Sequence, residues 1–455
     1  MKTATALNSR QQPLRVLVVG LGRTGLSCAR YLAKQGMQVA VTDSREQPQG
    51  LDALRESLPD VGLFLGGFAD QAFGNAELLV VSPGVPLSTP QIQAAMVRGV
   101  PAIGDVELFA RAVNRPVAAI TGSNGKSTVT TLLGLMGRAA GIRTSLGGNL
   151  GEPVLELLEE DVELDVVELS SFQLETTDSL APAVATVLNL SADHMDRYAG
   201  FEEYMEVKGR IYRNAEVGVY NRDDPRVMAL PRSREALFFT LAAPAAENEF
   251  GVQEEKGRAW LSRGSELLLP ADEVLMPGLH NRANALAALA MGSALELPLE
   301  AMTQVLTTFP GLPHRTEFVA RGKGLSWYND SKGTNPGATI AALAGLEQGD
   351  GSRTVLIAGG QGKSADFSEL AGAVERYARA VVLIGEDREL IAEALAGTVE
   401  PRFAGTLQEA VELAAELAEP GDRVLLSPAC ASFDMFRGFE HRGEVFKACV
   451  QELLQ

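Results

Sequence analysis

Thr121-Gly122-Ser123-Asn124-Gly125-Lys126-Ser127-Thr128 follows the apolar run Pro116-Val117-Ala118-Ala119-Ile120 and precedes a helical pattern over 129–140. A strand that ends in a glycine turn points backbone N–H groups inward, and the helix behind it adds its positive N-terminal end, so this stretch predicts a phosphate cradle. In that reading Lys126 reaches the β- and γ-phosphates of a nucleoside triphosphate, and Ser127 or Thr128 ligates Mg²⁺. The spacing departs from G-x-x-x-x-G-K-[ST]: Ile120 stands where the first glycine belongs, and Gly122 comes two residues later. The plainer alternative is a glycine turn before an ordinary helix.

Around the cradle the chain alternates apolar runs with helical patterns, which predicts an α/β protein. Its 455 residues suggest about three domains at ~150 residues each. Lysine and arginine total 40 against 58 acidic residues, a formal charge of −18, so a phosphate backbone would meet general repulsion and no nucleic-acid partner is expected. The three cysteines, Cys28, Cys430 and Cys449, show no metal-ligand spacing. Residues 1–15 lack the apolar core of a signal peptide and no apolar run approaches the ~20 residues of a membrane span, so a cytoplasmic protein with no membrane partner is expected.

Upstream, Leu14-Arg15-Val16-Leu17-Val18-Val19 leads into Gly20-Leu21-Gly22-Arg23-Thr24-Gly25, a helical run over 26–36 and a second apolar segment ending at Asp43. The pattern is that of a dinucleotide fingerprint with its acid about 20 residues on. The cradle already supplies an energy-rich nucleotide and no dehydrogenase acid/base set follows, so another nucleotide, or a βαβ unit with no ligand, fits as well. A third strand over 78–81 enters the turn Ser82-Pro83-Gly84, and 100–116 carries the first domain into the second.

Beyond the cradle the strand 164–167 ends at Glu168, where a Mg²⁺ carboxylate is needed; the alternative is an acid capping the Ser170-Ser171 turn. His194 follows the next strand and can meet a metal or a phosphate, or be structural. Lys208, on an amphipathic helix over 201–213, reads most simply as a solvated lysine. Asn281 and Asn284 open an Ala/Leu-rich helix, where they can cap it or offer amides to a purine, capping suiting Asn281 better. The turn-rich stretch 309–315 marks a domain joint, and three βα units at 353–358, 380–384 and 423–427 predict a closing parallel α/β domain. Lys363, in Gly359-Gly360-Gln361-Gly362-Lys363-Ser364, suits a carboxylate, and Ser427-Pro428-Ala429-Cys430-Ala431-Ser432 offers hydroxyls and backbone donors at a sheet edge. Cys430 reads as a small packing residue.

Taken together, the cradle in its T-G-[ST]-N-G-K-[ST] form, Glu168-Leu169-Ser170-Ser171-Phe172-Gln173-Leu174-Glu175, Asp193-His194-Met195-Asp196-Arg197, His280-Asn281, Gly311-Leu312-Pro313-His314-Arg315, Asn329-Asp330-Ser331-Lys332 and the stretch 427–432 resemble the Mur ligases over nearly the whole chain, and among them the branch that adds D-glutamate. The resemblance implies an N-terminal Rossmann-like domain (1–105), a central P-loop mononucleotide-binding α/β domain (106–311) and a C-terminal Rossmann-like domain (312–455). It implies ATP-dependent joining of D-glutamate to the L-alanine carboxylate of UDP-N-acetylmuramoyl-L-alanine through an acyl phosphate, by a monomer, in peptidoglycan precursor synthesis. Arg23, Thr24, Asp43, Ser44, Arg45, Gly84, Asn149, Gln173 and His194 match the UDP-substrate positions. Residues Gly122, Ser123, Asn124, Gly125, Lys126, Ser127, Thr128, Asn284, Arg315 and Asp330 match those for ATP, and Lys332, Thr334, Lys363, Ser432 and Phe439 those for D-glutamate.

The same resemblance implies two Mg²⁺ ions on Ser127, Glu168, His194 and a carbamylated Lys208, with Lys126, Glu168, His194, Lys208 and Lys332 as the catalytic set. Gly333 stands where the family often has alanine, and Arg23 replaces an apolar residue of some members, which bears on loop conformation and uridine contacts. Three competing readings remain. A folylpolyglutamate synthase or a sibling ligase would differ around Lys363 and Ser432, a nicotinamide-dependent dehydrogenase would bind NADH at Gly20–Gly25, and a non-catalytic nucleotide-binding module would hold ATP without releasing phosphate.

Overall fold

The computed structural model describes residues 13–149, 151–195, 197–347, 351–363 and 365–455; Asp196 and Ser364, quoted above within motifs, lie outside them. Three sheets follow one another along the chain. The first holds β1 (Arg15–Val19), β2 (Gln38–Asp43), β3 (Gly62–Leu65), β4 (Leu78–Val81) and β5 (Ala102–Ile103) in the order β3-β2-β1-β4-β5. All its pairings are parallel. Helices cover both faces of such a sheet, which is why β4 reads Leu-Leu-Val-Val with every residue buried. The strand order turns back at β1, so the loops after β1, β2 and β4 converge at one crevice.

The second sheet has nine strands: β6 (Val117–Thr121), β7 (Thr144–Gly148), β8 (Leu164–Glu168), β9 (Val184–Val187), β10 (Val217–Asn221), β11 (Glu235–Phe239), β12 (Glu249–Glu255), β13 (Arg258–Arg263) and β14 (Glu266–Pro270). Their order is β14-β13-β12-β11-β10-β9-β6-β8-β7, so β6 lies between β8 and β9 and the three strand ends sit side by side. From β7 to β12 the pairings are parallel, and β12 to β14 form an antiparallel extension. The helix Leu279–Ala294 buries every residue from Asn284 through Gly292. A helix apolar around its whole circumference is a core element, which its Ala/Leu composition anticipates. Asn281 does not cap it: Gly278 is the N-cap, without a side-chain bond, and Asn281 Nδ2 donates back to the Pro277 carbonyl at 2.8 Å.

The third sheet runs β15-β16-β20-β17-β18-β19, from β15 (Glu317–Gly322), β16 (Leu325–Asn329), β17 (Thr354–Gly359), β18 (Ala378–Ile384), β19 (Arg402–Phe403) and β20 (Arg423–Leu426). It is parallel except at its edge, where β15 pairs antiparallel with β16, so the expected parallel sheet carries one reversed strand. Lys323 and Gly324, at φ 53° and 78°, make the tight reversal between them, leaving no room for the crossover helix that parallel pairing requires. No helix among the described residues is long and apolar enough to cross a membrane.

Candidate active site

The loop between β6 and the helix Lys126–Ala139 turns on two glycines, Gly122 at φ 147° and Gly125 at φ 86°. A Cβ on Gly125 would lie 2.4 Å from Asn284 Oδ1, so the loop approaches the helix Leu279–Ala294 as closely as a glycine permits. Side chains from outside the motif fix its path. Asn189 Oδ1 accepts from the Asn124 N–H at 2.8 Å while its Nδ2 donates to the Asn124 carbonyl at 3.0 Å, and Tyr204 Oη meets Ser123 Oγ at 3.0 Å. Lys126 Nζ donates to the Gly122 and Ser123 carbonyls at 2.8 and 2.9 Å. Across the boundary with the third sheet, Arg315 donates to Ser127 Oγ at 2.8 Å. A cavity of about 280 Å³ opens there, lined among others by Asn124, Gly125, Thr128, Asn284, Arg315 and Asp330, and also by Lys332. Gly122, Ser123, Lys126 and Ser127 belong to the loop without lining that cavity.

Glu168 ends β8 beside the loop and is 2% exposed. Its Oε1 accepts from Asn149 Nδ2 at 2.7 Å, whereas Oε2 is buried with no partner. It caps nothing: Ser170 caps the helix Ser171–Glu175 in a reciprocal box with Gln173. Lys208 is 2% exposed, which corrects the expectation of a solvated lysine. Tyr204, Val207 and Lys208 form the buried face of Phe201–Gly209, and three- and four-residue spacing turns that lysine inward with the tyrosine. Its Nζ donates to the Gly122 carbonyl at 2.9 Å and to Thr121 Oγ1 at 3.3 Å, 4.9 Å above the Tyr204 ring. Burial, then the nearby Lys126 charge, pull its pKa well below the ordinary lysine value.

His194 has φ 58°, lies 3.7 Å from Asp193, and packs its ring 4.8 Å from Phe172; burial holds its pKa below the ordinary value. Among the described residues no three His, Cys, Asp or Glu side chains gather as a metal cluster. Glu168 nevertheless fits a hard cation completed by phosphate oxygens, because its orphaned Oε2 is a buried carboxylate acceptor with nothing to accept from.

A second cavity, of about 480 Å³, lies at the crevice of the first sheet. Arg23, Thr24, Asp43, Ser44, Arg45, Gly84, Asn149 and Gln173 all line it; His194 does not. Asp43 Oδ2 accepts from the Leu21 N–H at 2.7 Å and from Arg45 at 2.8 Å. Burial alone raises that carboxyl, but these donors outweigh it and hold it at about 2. Gln173 Nε2 donates to the buried Asp105 at 3.0 Å.

The remaining residues stand on the loops after β16, β20 and β17, neighbours in the third sheet. Lys332 Nζ lies 3.8 Å over the Phe439 ring. Burial, then Arg315, pull its pKa down to about 8, with Glu168 and Lys126 among the other charges it feels. Ser432 is buried, Thr334 and Lys363 are exposed, and Lys363, at φ 51°, is one of the cations acting on His194. Asp330 accepts from Ser427 Oγ at 2.6 Å and from the Thr316 N–H at 3.0 Å, and burial lifts it to about 6. Sequence reading missed Arg442, which is 1% exposed and donates to the Ser331 carbonyl at 2.8 Å and the Cys430 carbonyl at 3.1 Å, tying two of these loops together. An arginine inside a helix carries no local sign of this; only the fold brings 331 and 430 to it. Cys430 is a buried thiol pushed up to about 12, as a packing residue should be.

A phosphate loop at the centre of one parallel sheet, flanked by a second nucleotide-sized crevice and by a cationic loop cluster on a third, defines a three-part nucleotide-dependent enzyme. Family models match in the same order: Mur ligase MurD-like N-terminal domain over 14–104, Mur ligase middle domain over 120–292, and Mur ligase glutamate ligase domain over 314–430. The chain belongs to the Mur ligase family. It is 54% identical over 441 residues to the UDP-N-acetylmuramoylalanine--D-glutamate ligase of Nitrosococcus oceani, covering 96% of each chain. It is 52% identical over 443 residues to the protein of the same name from Methylobacillus flagellatus, covering 96% of this chain and 97% of that one. In fold it is similar to the UDP-N-acetylmuramate-alanine ligase of Thermotoga maritima, with a TM-score of 0.60 at 18% identity over 97% of this chain and 100% of the other.

Proposed function

We propose that this chain joins D-glutamate to the L-alanine carboxylate of UDP-N-acetylmuramoyl-L-alanine at the expense of ATP, in peptidoglycan precursor synthesis. The observation that supports the reading is geometric: one cavity is lined by Asn124, Gly125 and Thr128 of the phosphate loop and by Arg315, Asp330 and Lys332 of the third sheet's domain, which lets the amino-acid side and the phosphate side act on one centre. Cavity and loop divide the work. The crevice lined by Arg23, Thr24, Asp43, Ser44, Arg45, Gly84, Asn149 and Gln173 takes the UDP end, and His194 meets the far end of that substrate. The cavity at Asn284, Arg315 and Asp330 takes the nucleoside of ATP. Lys332, Thr334, Lys363, Ser432 and Phe439 receive D-glutamate, whose two carboxylates call for cations and hydroxyls.

The substrate carboxylate attacks the γ-phosphorus of ATP and ADP leaves; Lys126 neutralises charge on the transferring group. The neutral amine of D-glutamate then adds to the acyl phosphate, and collapse of the tetrahedral adduct expels inorganic phosphate and leaves the amide. Ser127, Glu168, His194 and a modified Lys208 would hold two Mg²⁺ ions, which would supply neutralisation of the phosphate oxygens. Lys208 suits that modification because burial favours its neutral amine, the form that adds to carbon dioxide, and the resulting carbamate is an oxygen donor. The protein acts as a cytoplasmic monomer of three domains, 1–105, 106–311 and 312–455.

Phosphate release from ATP and Mg²⁺ with the UDP substrate, offering D-glutamate, L-glutamate, L-lysine and meso-diaminopimelate in parallel, tests the reading. Release with amide formation on D-glutamate alone is expected. Turnover on another amino acid moves the chain to a sibling specificity, and no turnover on any overturns the assignment.

A further inference from the structure

Arg197 belongs to neither cavity, yet its side chain is only 11% exposed and both terminal nitrogens of its guanidinium are engaged. One terminal nitrogen donates to Glu175 Oε2 at 2.8 Å and to the Val85 carbonyl at 3.4 Å; the other donates to the Pro83 carbonyl at 3.1 Å. Pro83 and Val85 are wall of the 480 Å³ crevice, on the loop after β4. The planar face lies 4.5 Å from the Phe172 ring, which in turn packs against His194. Its own N–H donates to the His194 carbonyl at 2.9 Å, closing the turn in which the histidine takes φ 58°. A guanidinium is the group that can fork to two carbonyls, pair with a carboxylate and stack on a ring at once; an ammonium is a point charge without that plane.

We infer that Arg197 is a positioning residue that locks the β4 loop of the crevice to the turn that aims His194. The inference rests on the function proposed above. A substrate held by its UDP moiety in the crevice and by its acyl end near His194 meets two half-sites, and its affinity depends on their separation being fixed before it binds. UDP alone fills one half-site and is indifferent to the lock.

The full chain, wild type and as Arg197→Met and Arg197→Lys, is titrated calorimetrically with UDP and with UDP-N-acetylmuramoyl-L-alanine, and KM is measured for each substrate. Arg197→Met should weaken the whole substrate by about tenfold while UDP stays within about twofold, with KM for D-glutamate unmoved, as expected for uncoupled half-sites. Arg197→Lys should recover the melting temperature through the Glu175 pair but only part of the substrate affinity, and it carries the comparison should the methionine variant fail to fold. Equal losses for UDP and for the whole substrate, or no loss for either, overturn the lock. A wild type that binds UDP-N-acetylmuramoyl-L-alanine not at all overturns the functional reading itself, an outcome distinct from variants that bind it like wild type.

Discussion

Lys208 is buried and Lys332 half-buried, and their surroundings give them different work. Lys208 has only the Gly122 carbonyl and the Thr121 hydroxyl to receive its protons, and its pKa is far below the ordinary value. Replacing it with alanine should lower turnover at least about 100-fold, the scale of losing a group that organises charge at the reacting phosphates, while a carbamate carbon resonance after labelling with enriched carbon dioxide should appear in wild type and be missing from Lys208→Ala. Lys332, at about 8, is a cation below that pH and loses its charge above it. With Lys332 as a carboxylate partner, kcat/KM for D-glutamate gains a falling limb above about pH 8 that Lys332→Arg, charged throughout, lacks; superimposable profiles would assign the titration to another group.

Asp43 obeys the opposite sign. A carboxyl whose pKa is depressed in the fold, here from 3.8 to about 2, stabilises the folded state above its unfolded value and gives that contribution up as the pH falls toward 2. Because its partner Arg45 is half exposed, Asp43→Asn should cost only about 1–2 kcal/mol at neutral pH in urea unfolding.

Among the elements, the phosphate loop and the helix behind it form one unit with the helix Leu279–Ala294. Gly125 is held at φ 86° with its missing Cβ pointing at the Asn284 amide, so Gly125→Ala adds both backbone strain and a clash. It should destabilise the protein by roughly 1–3 kcal/mol and remove ATP binding in equilibrium dialysis; an alanine variant with unchanged affinity would show that the loop moves freely. The short helix Ser171–Glu175 depends on its cap, with Gln173 completing the box and reaching Asp105. Ser170→Ala should cost about 1 kcal/mol and, by releasing Gln173, raise KM for the UDP substrate above that for ATP. The elements themselves were legible: β1, β4, β6 and β8 are short apolar runs ended by glycine or by a polar turn, and such runs are strands wherever helices cover both faces. The reversed edge strand β15 was not legible, because the two residues of turn, Lys323 and Gly324, decide it.

At the scale of the whole molecule, polar contacts between the third sheet's domain and the second's include, among the described residues, Arg315 to Ser127 at 2.8 Å, Asn335 to Asn124 at 3.2 Å and to Asp193 at 3.5 Å, and Thr316 to His280 at 3.3 Å. The joint precedes them at Gly311, which takes φ 104°. Water has to be kept from an acyl phosphate, so closure about this joint should accompany ligand binding. Small-angle scattering should register a smaller radius of gyration with ATP analogue and UDP substrate bound; Arg315→Met should blunt that change, and an unchanged radius in wild type would count against closure.

The order of motifs along the chain determined the fold class and the phosphate loop, since both depend on local chemistry: glycines where a backbone must turn, apolar runs where a strand is covered, an acid or a hydroxyl at a strand's end; the residues expected around the first crevice came with the resemblance to the Mur ligases. Tertiary structure alone decided the rest. Whether Lys208 faced water or Glu168 kept an unpaired oxygen, and whether Arg442 and Arg197 each served two distant loops, depended on which neighbours folding brought within reach, and burial and pairing over separations of a hundred residues leave no mark on local spacing.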